Sequence, residues 1–258
     1  MTPGKSVIIF LCVCLPIQVI HAESAPVIAV AANFAATADT LGKEFTQHTG
    51  KSVRLSVAAS GTLVHQIIEG APFQLFLSAD ESYVNQLYKR GLTPDTGKIY
   101  AVGVLVLYVP ATSHLDYSMD TKSILQQLVT NTSYKIALAN PKLAPYGKAA
   151  QQVLNRFTST QKLQGREIFG ENVGQTAQFA LADTIDAALL PLSIAMSVTV
   201  QQAGHIKKIP DDWYQPLLQR VVLINNAGTT ARDFFQFLDS KQARHIIEQA
   251  GYGLPMDN

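Results

Sequence analysis

Strand-like and helix-like segments alternate along most of this chain, and this alternation constrains the fold more than any other feature. Val27–Ala31 is a short apolar run typical of a buried strand. Asn33 is a good helix N-cap, and apolar residues then recur at helical spacing up to Phe45. The same two patterns return several times towards the C-terminus. Alternation of this kind predicts an α/β fold, in which mostly parallel sheets are flanked by helices.

Two long apolar runs predict that the chain forms two lobes. Residues 99–109 exceed the length of a typical strand, and residues 217–224 form a second such run. We expect both to be crossing strands that act as a hinge. Residues 23–104 and 224–258 are then predicted to form lobe I, and residues 105–223 to form lobe II.

The first 22 residues have the composition of a secretory signal peptide. Lys5 precedes an apolar run of about ten residues, and the segment ends at Ala22, the expected cleavage point. Both cysteines, Cys12 and Cys14, lie within it, so the mature chain has no thiol or disulfide. The segment contains one basic and no acidic residue, and its removal leaves a formally neutral protein. These features predict a periplasmic protein.

Composition and motifs argue against several functional classes. Charged residues make up 15% of the chain, and its formal net charge is +1, so no field for nucleic-acid binding is expected. Nucleophile-elbow, nucleotide-binding and zinc-protease motifs do not occur in the sequence. The six histidines are scattered, and the acidic pairs at 80–81 and 211–212 fit helix starts. The sequence therefore predicts neither an enzyme nor a cofactor.

Four strand-to-helix junctions are rich in small and hydroxyl residues. They are Ala31–Asn33, Ala58–Gly61, Ala144–Gly147 and Asn172–Gly174. Helix N-termini present unpaired N–H groups that bind anions, and ligands of open parallel sheets lie at the carboxyl ends of strands. Two junctions fall in each predicted lobe, and neutral backbone dipoles at these positions could hold a fully ionised anion. The alternative is four ordinary helix starts.

Several of these segments resemble the periplasmic molybdate-binding protein family. The most specific are residues 70–72 (Gly-Ala-Pro) with 78–80 (Ser-Ala-Asp), and residues 140–147 (Asn-Pro-Lys-Leu-Ala-Pro-Tyr-Gly). Residues 30–34, 60–61 and 172–175 match in the same order, and the likeness extends from about Val27 to Tyr252. The resemblance implies a type II periplasmic-binding-protein-like fold. It also implies a clamp that captures molybdate or tungstate and delivers it to the permease of an inner-membrane ABC transporter.

The resemblance also implies which residues bind the anion. The first junction would supply two adjacent contacts, at Ala32 and Asn33. The others would supply Ser60, the hydroxyl of Tyr146 and the backbone amide of Val173. The metal would enter only as the oxyanion, without direct metal-ion ligands from the protein. A monomer is expected, since a clamp has to release its cargo.

The chain departs from the family pattern at two positions, and the first departure leaves the preferred anion open. The family usually has serine or threonine where this chain has Ala32, so one hydroxyl donor is missing. One branch of the family uses a tyrosine near Leu190, where this chain has Pro191, and this chain therefore resembles the branch that uses Tyr146. The alternatives are a binding protein for sulfate, phosphate or ferric iron, and a periplasmic enzyme or sensor on the same fold.

Overall fold

A computed structural model of the chain describes residues 24–157, 163–182 and 184–255. The predicted signal peptide lies outside these residues. Within them, no helix combines the length and the apolar character needed to cross a membrane.

The first sheet has five strands in the order β2-β1-β3-β10-β4. Its strands are β1 (Val27–Ala31), β2 (Arg54–Ala58), β3 (Phe73–Ser78), β4 (Lys98–Gly103) and β10 (Leu217–Leu223). β1 pairs in parallel with β2 and β3, whereas β10 is antiparallel to both β3 and β4. The helices of this lobe are α1 (Ala35–Thr49), α2 (Ser60–Ile68), α3 (Glu81–Lys89), α9 (Thr229–Phe237) and α10 (Lys241–Gln249). Apolar side chains of β1 and β3 pack against Phe45 of α1, Phe234 of α9 and Phe34, which directly precedes α1.

The second sheet repeats this arrangement in the order β7-β6-β8-β5-β9. Its strands are β5 (Leu105–Pro110), β6 (Ile136–Ala139), β7 (Glu167–Gly170), β8 (Ala187–Pro191) and β9 (Gly204–Lys208). β6 is parallel to β7 and β8, and β5 is antiparallel to its two neighbours. The helices are α4 (Thr121–Thr130), α5 (Pro145–Asn155), α6 (Val173–Ala180), α7 (Leu192–Ala195) and α8 (Val198–Gln202). The predicted α/β class with two mostly parallel sheets is confirmed.

The two long apolar runs behave differently from each other. Residues 99–109 do carry the chain between the sheets, but as two strands, because β4 ends at Gly103 and β5 begins in the other sheet at Leu105. The predicted crossing at residues 217–224 is wrong. β10 lies wholly in the first sheet, and the chain returns before it, between β9 and Leu217.

The predicted boundary after residue 223 therefore assigns β10 to the wrong lobe. Apolar content shows that a strand is buried but does not show which sheet it joins. β10 is flanked by β3 and β4, and this position between two strands requires the apolar run. Strand β9 was not predicted, because residues 204–208 form a sheet edge and carry polar side chains.

Candidate anion-binding site

A small cavity lies between the two lobes, at the carboxyl ends of the parallel strands. The empty space among its lining residues is about 200 Å³, a volume that includes the solvent-open space at its mouth. All five residues singled out in the sequence line it. The full lining comprises Ala31, Ala32, Asn33, Ala59, Ser60, Ala79, Ala144, Pro145, Tyr146, Asn172 and Val173. None of these side chains is charged, so the cavity can attract an anion only through N–H and O–H dipoles.

Three of the helical segments at the cavity begin after an alanine. Ala31 precedes a 3₁₀ turn at residues 32–34, Ala59 precedes α2 and Ala144 precedes α5. A methyl group cannot accept a hydrogen bond, so no side chain caps these N-termini. The first N–H groups of these segments therefore lack the side-chain partner that a serine or aspartate would provide. Two first-turn positions are exceptions, because Pro145 of α5 has no N–H and the N–H of Gly61 in α2 donates to the carbonyl oxygen of Leu143.

Helix α6 is capped, yet it still leaves one amide available. The side chain of Asn172 accepts hydrogen bonds from the N–H of Gly174 at 2.9 Å and of Gln175 at 3.1 Å. The N–H of Val173 precedes both and has no partner among the described residues. Cap and helix together hold this amide at the cavity wall.

Ser60 combines an amide and a hydroxyl at one position. Its side chain is 1% exposed, and its Oγ accepts a hydrogen bond from the N–H of Ala79 at 3.1 Å. Since that bond uses a lone pair, the hydroxyl proton is left for a ligand. Ser60 is therefore held as a donor.

Tyr146 brings a hydroxyl from the second lobe into the cavity. The side chain is 1% exposed, and its oxygen accepts a hydrogen bond from Nε2 of Gln219 at 3.2 Å. Burial raises the pKa of Tyr146 well above its usual value, and the neighbouring Tyr252 and Tyr100 act in the same direction. The group thus stays protonated and can donate. Gly103 makes room for it, because a Cβ there would lie 2.3 Å from the tyrosine oxygen.

Asn33 offers the cavity its backbone rather than its side chain. Its Nδ2 donates to Oε1 of Gln219 at 2.9 Å and to the hydroxyl of Tyr252 at 3.1 Å. Both amide hydrogens are therefore used inside the protein. Among the described residues its N–H and that of Ala32 have no partner, so these two adjacent amides form one wall.

Sequence comparison places the chain among known proteins. The family model of the bacterial extracellular solute-binding protein matches residues 26–253. The chain belongs to this family. It is 32% identical over 230 residues to a molybdate-binding protein of Azotobacter vinelandii, covering 88% of this chain and 89% of the relative. Its identity to the molybdate-binding protein of Rhodobacter capsulatus is 33%, covering 87% and 86% of the two chains.

A solved structure supports the same assignment. The periplasmic molybdate-binding protein of Azotobacter vinelandii superimposes with a TM-score of 0.81 at 30% identity, covering 90% of this chain and all of that one. The predicted resemblance to the molybdate-binding family and the predicted two-lobed fold are confirmed.

The two lobes of this solute-binding protein touch each other around the cavity. The N–H of Gly61 donates to the carbonyl oxygen of Leu143 at 3.0 Å, and the hydroxyl of Tyr83 donates to the same oxygen at 3.2 Å. On another side, the Ser193 hydroxyl donates to the carbonyl oxygen of Asn33 at 3.0 Å. These bonds join the lobes in a closed arrangement.

The acidic residues considered in the sequence serve the helices of the solute-binding protein. Asp80 caps α3, and Glu81 follows it and pairs with Arg220. Asp211 and Asp212 begin a 3₁₀ turn. Among the described residues no group of three or more His, Cys, Asp or Glu side chains could hold a metal ion.

Sequence reasoning missed Gln219, Tyr252 and Ser193, which connect to the site from behind. One signal was available for Gln219, since it is a neutral polar residue inside an apolar strand run, and such a residue needs buried partners. Nothing in the sequence indicates that Ser193 and Tyr252 meet Asn33.

Proposed function

We propose that this solute-binding protein captures molybdate or tungstate in the cavity between its lobes. The observation that carries the proposal is the lining itself, which offers amide and hydroxyl donors and no charged side chain. The similarity to molybdate-binding proteins over nearly the whole chain supports the choice of anion.

The donors of the cavity are numerous enough for tight binding. We assign them to the amides of Ala32, Asn33, Ser60 and Val173, and to the hydroxyls of Ser60 and Tyr146. A hydrogen bond to a charged group contributes about 1.5–3 kcal/mol. Six of them can supply the roughly 8 kcal/mol of micromolar binding even after the entropy lost on association. The ligand contacts both lobes and therefore stabilises the closed state.

Different anions are rejected for different reasons. Hydrogen phosphate carries a proton that needs an acceptor, and a cavity of donors leaves it unpaired. Sulfate has the charge and shape of molybdate, so it is distinguished by size. Ala32 brings no hydroxyl to the cavity, and a sulfate-binding protein remains the second candidate on this ground.

Membership of the family supports a proposal for the cellular role. We infer that the signal peptide directs the protein to the periplasm, where it works as a monomer and passes its ligand to an ABC transporter permease. Binding of molybdate or tungstate involves no chemical step, so neither catalysis nor a cofactor is required.

Isothermal titration calorimetry of the purified protein with molybdate, tungstate, sulfate and phosphate tests this function. We expect one-to-one binding of molybdate or tungstate alone. Tyr146→Phe removes one hydrogen bond to a charged ligand and should weaken binding by about 10- to 150-fold. Tyr134→Phe, a partly buried tyrosine of the second lobe outside the cavity, should leave binding unchanged.

The other outcomes are informative as well. Equal affinity for sulfate and molybdate would mean that the protein binds tetrahedral oxyanions in general and is not specific for molybdate or tungstate. Binding of no oxyanion by the wild-type protein would refute the proposed function.

A further inference from the structure

Gln219 stands at the centre of a buried hydrogen-bond chain behind the cavity. It lies on β10 and is fully buried. Its Oε1 accepts from Nδ2 of Asn33 at 2.9 Å and from the hydroxyl of Tyr100 at 3.0 Å, and its Nε2 donates to the Tyr146 oxygen at 3.2 Å. The side chain thus joins the first-lobe wall of the cavity to the hydroxyl that the second lobe supplies.

The backbone carbonyl of Asn33 and the hydroxyl of Ser193 fix the direction of each hydrogen bond in the network that connects Tyr252 to Tyr146. The Tyr252 oxygen lies 2.6 Å from the carbonyl oxygen of Asn33, and a carbonyl can only accept. The Tyr252 oxygen also lies 2.9 Å from Oγ of Ser193. Its single proton is used towards the carbonyl or Ser193, so the Tyr252 oxygen is an acceptor for the side-chain amide of Asn33 at 3.1 Å. The atom of the Asn33 side-chain amide that faces Tyr252 must therefore be the nitrogen and not the oxygen.

The orientation of the Asn33 amide determines that of the Gln219 amide, which in turn determines the direction of the hydrogen bond to Tyr146. Since the Asn33 nitrogen also faces Gln219, the oxygen of the Gln219 amide must face it, and Tyr100 donates to that same oxygen. The Gln219 nitrogen is left to face Tyr146. A nitrogen of an amide only donates, so Tyr146 accepts this bond and its single proton is available to the cavity.

We propose that Gln219 is a positioning residue that sets the selectivity of the cavity by keeping Tyr146 a hydrogen-bond donor. A tyrosine hydroxyl is otherwise free to rotate, and it could accept the proton of a protonated anion such as hydrogen phosphate. With Gln219 behind it, Tyr146 offers only its proton, and fully deprotonated oxyanions are favoured. The inference rests on the proposed function and explains how one of its donors is enforced.

A double-mutant cycle on the purified protein tests this inference. Gln219→Met keeps the length of the side chain but neither donates to Tyr146 nor accepts from Asn33. We expect molybdate binding to weaken at least tenfold in the wild-type background and less than threefold in the Tyr146→Phe background, because the effect passes through the hydroxyl. Gln127→Met is the matched control, a partly buried glutamine of α4 outside the cavity, and should not change affinity.

Gln219→Glu is the second variant and retains the acceptor for Asn33 and Tyr100. Its carboxylate accepts a hydrogen bond from the Tyr146 hydroxyl. The tyrosine proton then points at residue 219, and the tyrosine oxygen can only accept a hydrogen bond from a ligand in the cavity. Molybdate and hydrogen phosphate both carry two charges at pH 8, so the added charge repels them alike. We expect the preference for molybdate over phosphate to fall at least tenfold, a change that a merely structural role would not produce.

Three results would overturn the inference. They are wild-type affinity in the folded Gln219→Met protein, an equal loss in both backgrounds of the cycle, and a parallel loss of both anions in Gln219→Glu. If the wild-type protein binds molybdate in any of these cases, the proposed function stands and only the role of Gln219 fails. Lack of oxyanion binding by the wild-type protein would instead remove the proposed function itself.

Discussion

The three helical segments that begin at the cavity after an alanine differ in their capping from helices α4 and α10, which begin elsewhere. At the cavity, three helical segments follow Ala31, Ala59 and Ala144, and no side chain caps them. Away from it, α4 follows Asp120 and α10 follows Ser240, and each of these side chains accepts a backbone N–H. Alanine at an N-cap forgoes about 1 kcal/mol relative to serine or aspartate. The three cavity segments forgo this stabilisation and keep N–H groups open at the cavity, although α9, which begins away from the cavity, also lacks a side-chain cap.

Asn172 shows that a cap and a ligand site can share one helix. Its side chain takes the amides of Gly174 and Gln175 and leaves that of Val173. The cavity therefore needs an open first N–H rather than an uncapped helix as such. This distinction can be tested by adding or removing a single cap.

The largest effect is expected from Ala59→Asp. Ala59 has the extended backbone of an N-cap, so an aspartate there would accept an N–H from the first turn of α2 and bring a negative charge to the cavity wall. Both effects oppose an anion, and we expect molybdate affinity to fall more than 100-fold in a titration, with the fold retained.

Gly228→Asp is the matched control for this variant. Gly228 precedes α9, which also has no side-chain cap, and its backbone is extended. It is not part of the cavity lining. The same added charge should leave molybdate affinity unchanged. Equal losses in both variants would mean that net charge, rather than the open N-terminus, governs binding.

The sequence predicts the position of the cavity better than the orientation of the groups around it. Small residues after apolar strands predict the junctions, because parallel strands end at a common edge. All five predicted site residues line the cavity. Whether they contact the ligand as proposed stays a prediction. The side chain of Asn33 does not serve as a donor to the cavity, because it donates both of its amide hydrogens to Gln219 and Tyr252.

Those two partners lie 186 and 219 residues away along the chain. No local pattern encodes contacts over such a separation. The error at β10 has the same origin. Its apolar pattern is local, but its place between β3 and β4 depends on distant strands. Local chemistry was thus predictable, and long-range pairing was not.

Removal of the Ser240 cap is expected to affect stability alone. The hydroxyl accepts the N–H of Ala243 at 3.1 Å, and α10 starts outside the cavity lining. Ser240→Ala should lower the free energy of unfolding by about 1 kcal/mol in a denaturant titration. Molybdate affinity should remain that of the wild type. If Ser240→Ala lowered molybdate affinity, a helix cap far from the cavity would affect binding through the whole fold. The comparison between capped and uncapped helices would then not explain the site.

The smallest expected effect concerns Asp120, whose cap depends on its charge. Hydrogen bonds from the side chain and the N–H of Ser123 lower the pKa of this carboxyl below its usual value. The carboxylate therefore stabilises the folded state at pH values above the ordinary aspartate pKa of about 3.9, and this contribution is lost as the pH falls through the lower folded-state pKa. The unfolding temperatures of the wild type and Asp120→Ala should differ by a constant amount between pH 5 and 7, on the order of a few degrees. They should converge in more acidic buffer. Molybdate affinity should be equal in the two proteins at neutral pH, because α4 begins outside the cavity lining. A difference in unfolding temperature that persists at the lowest pH would show that the Asp120 side chain acts through packing rather than through its charge.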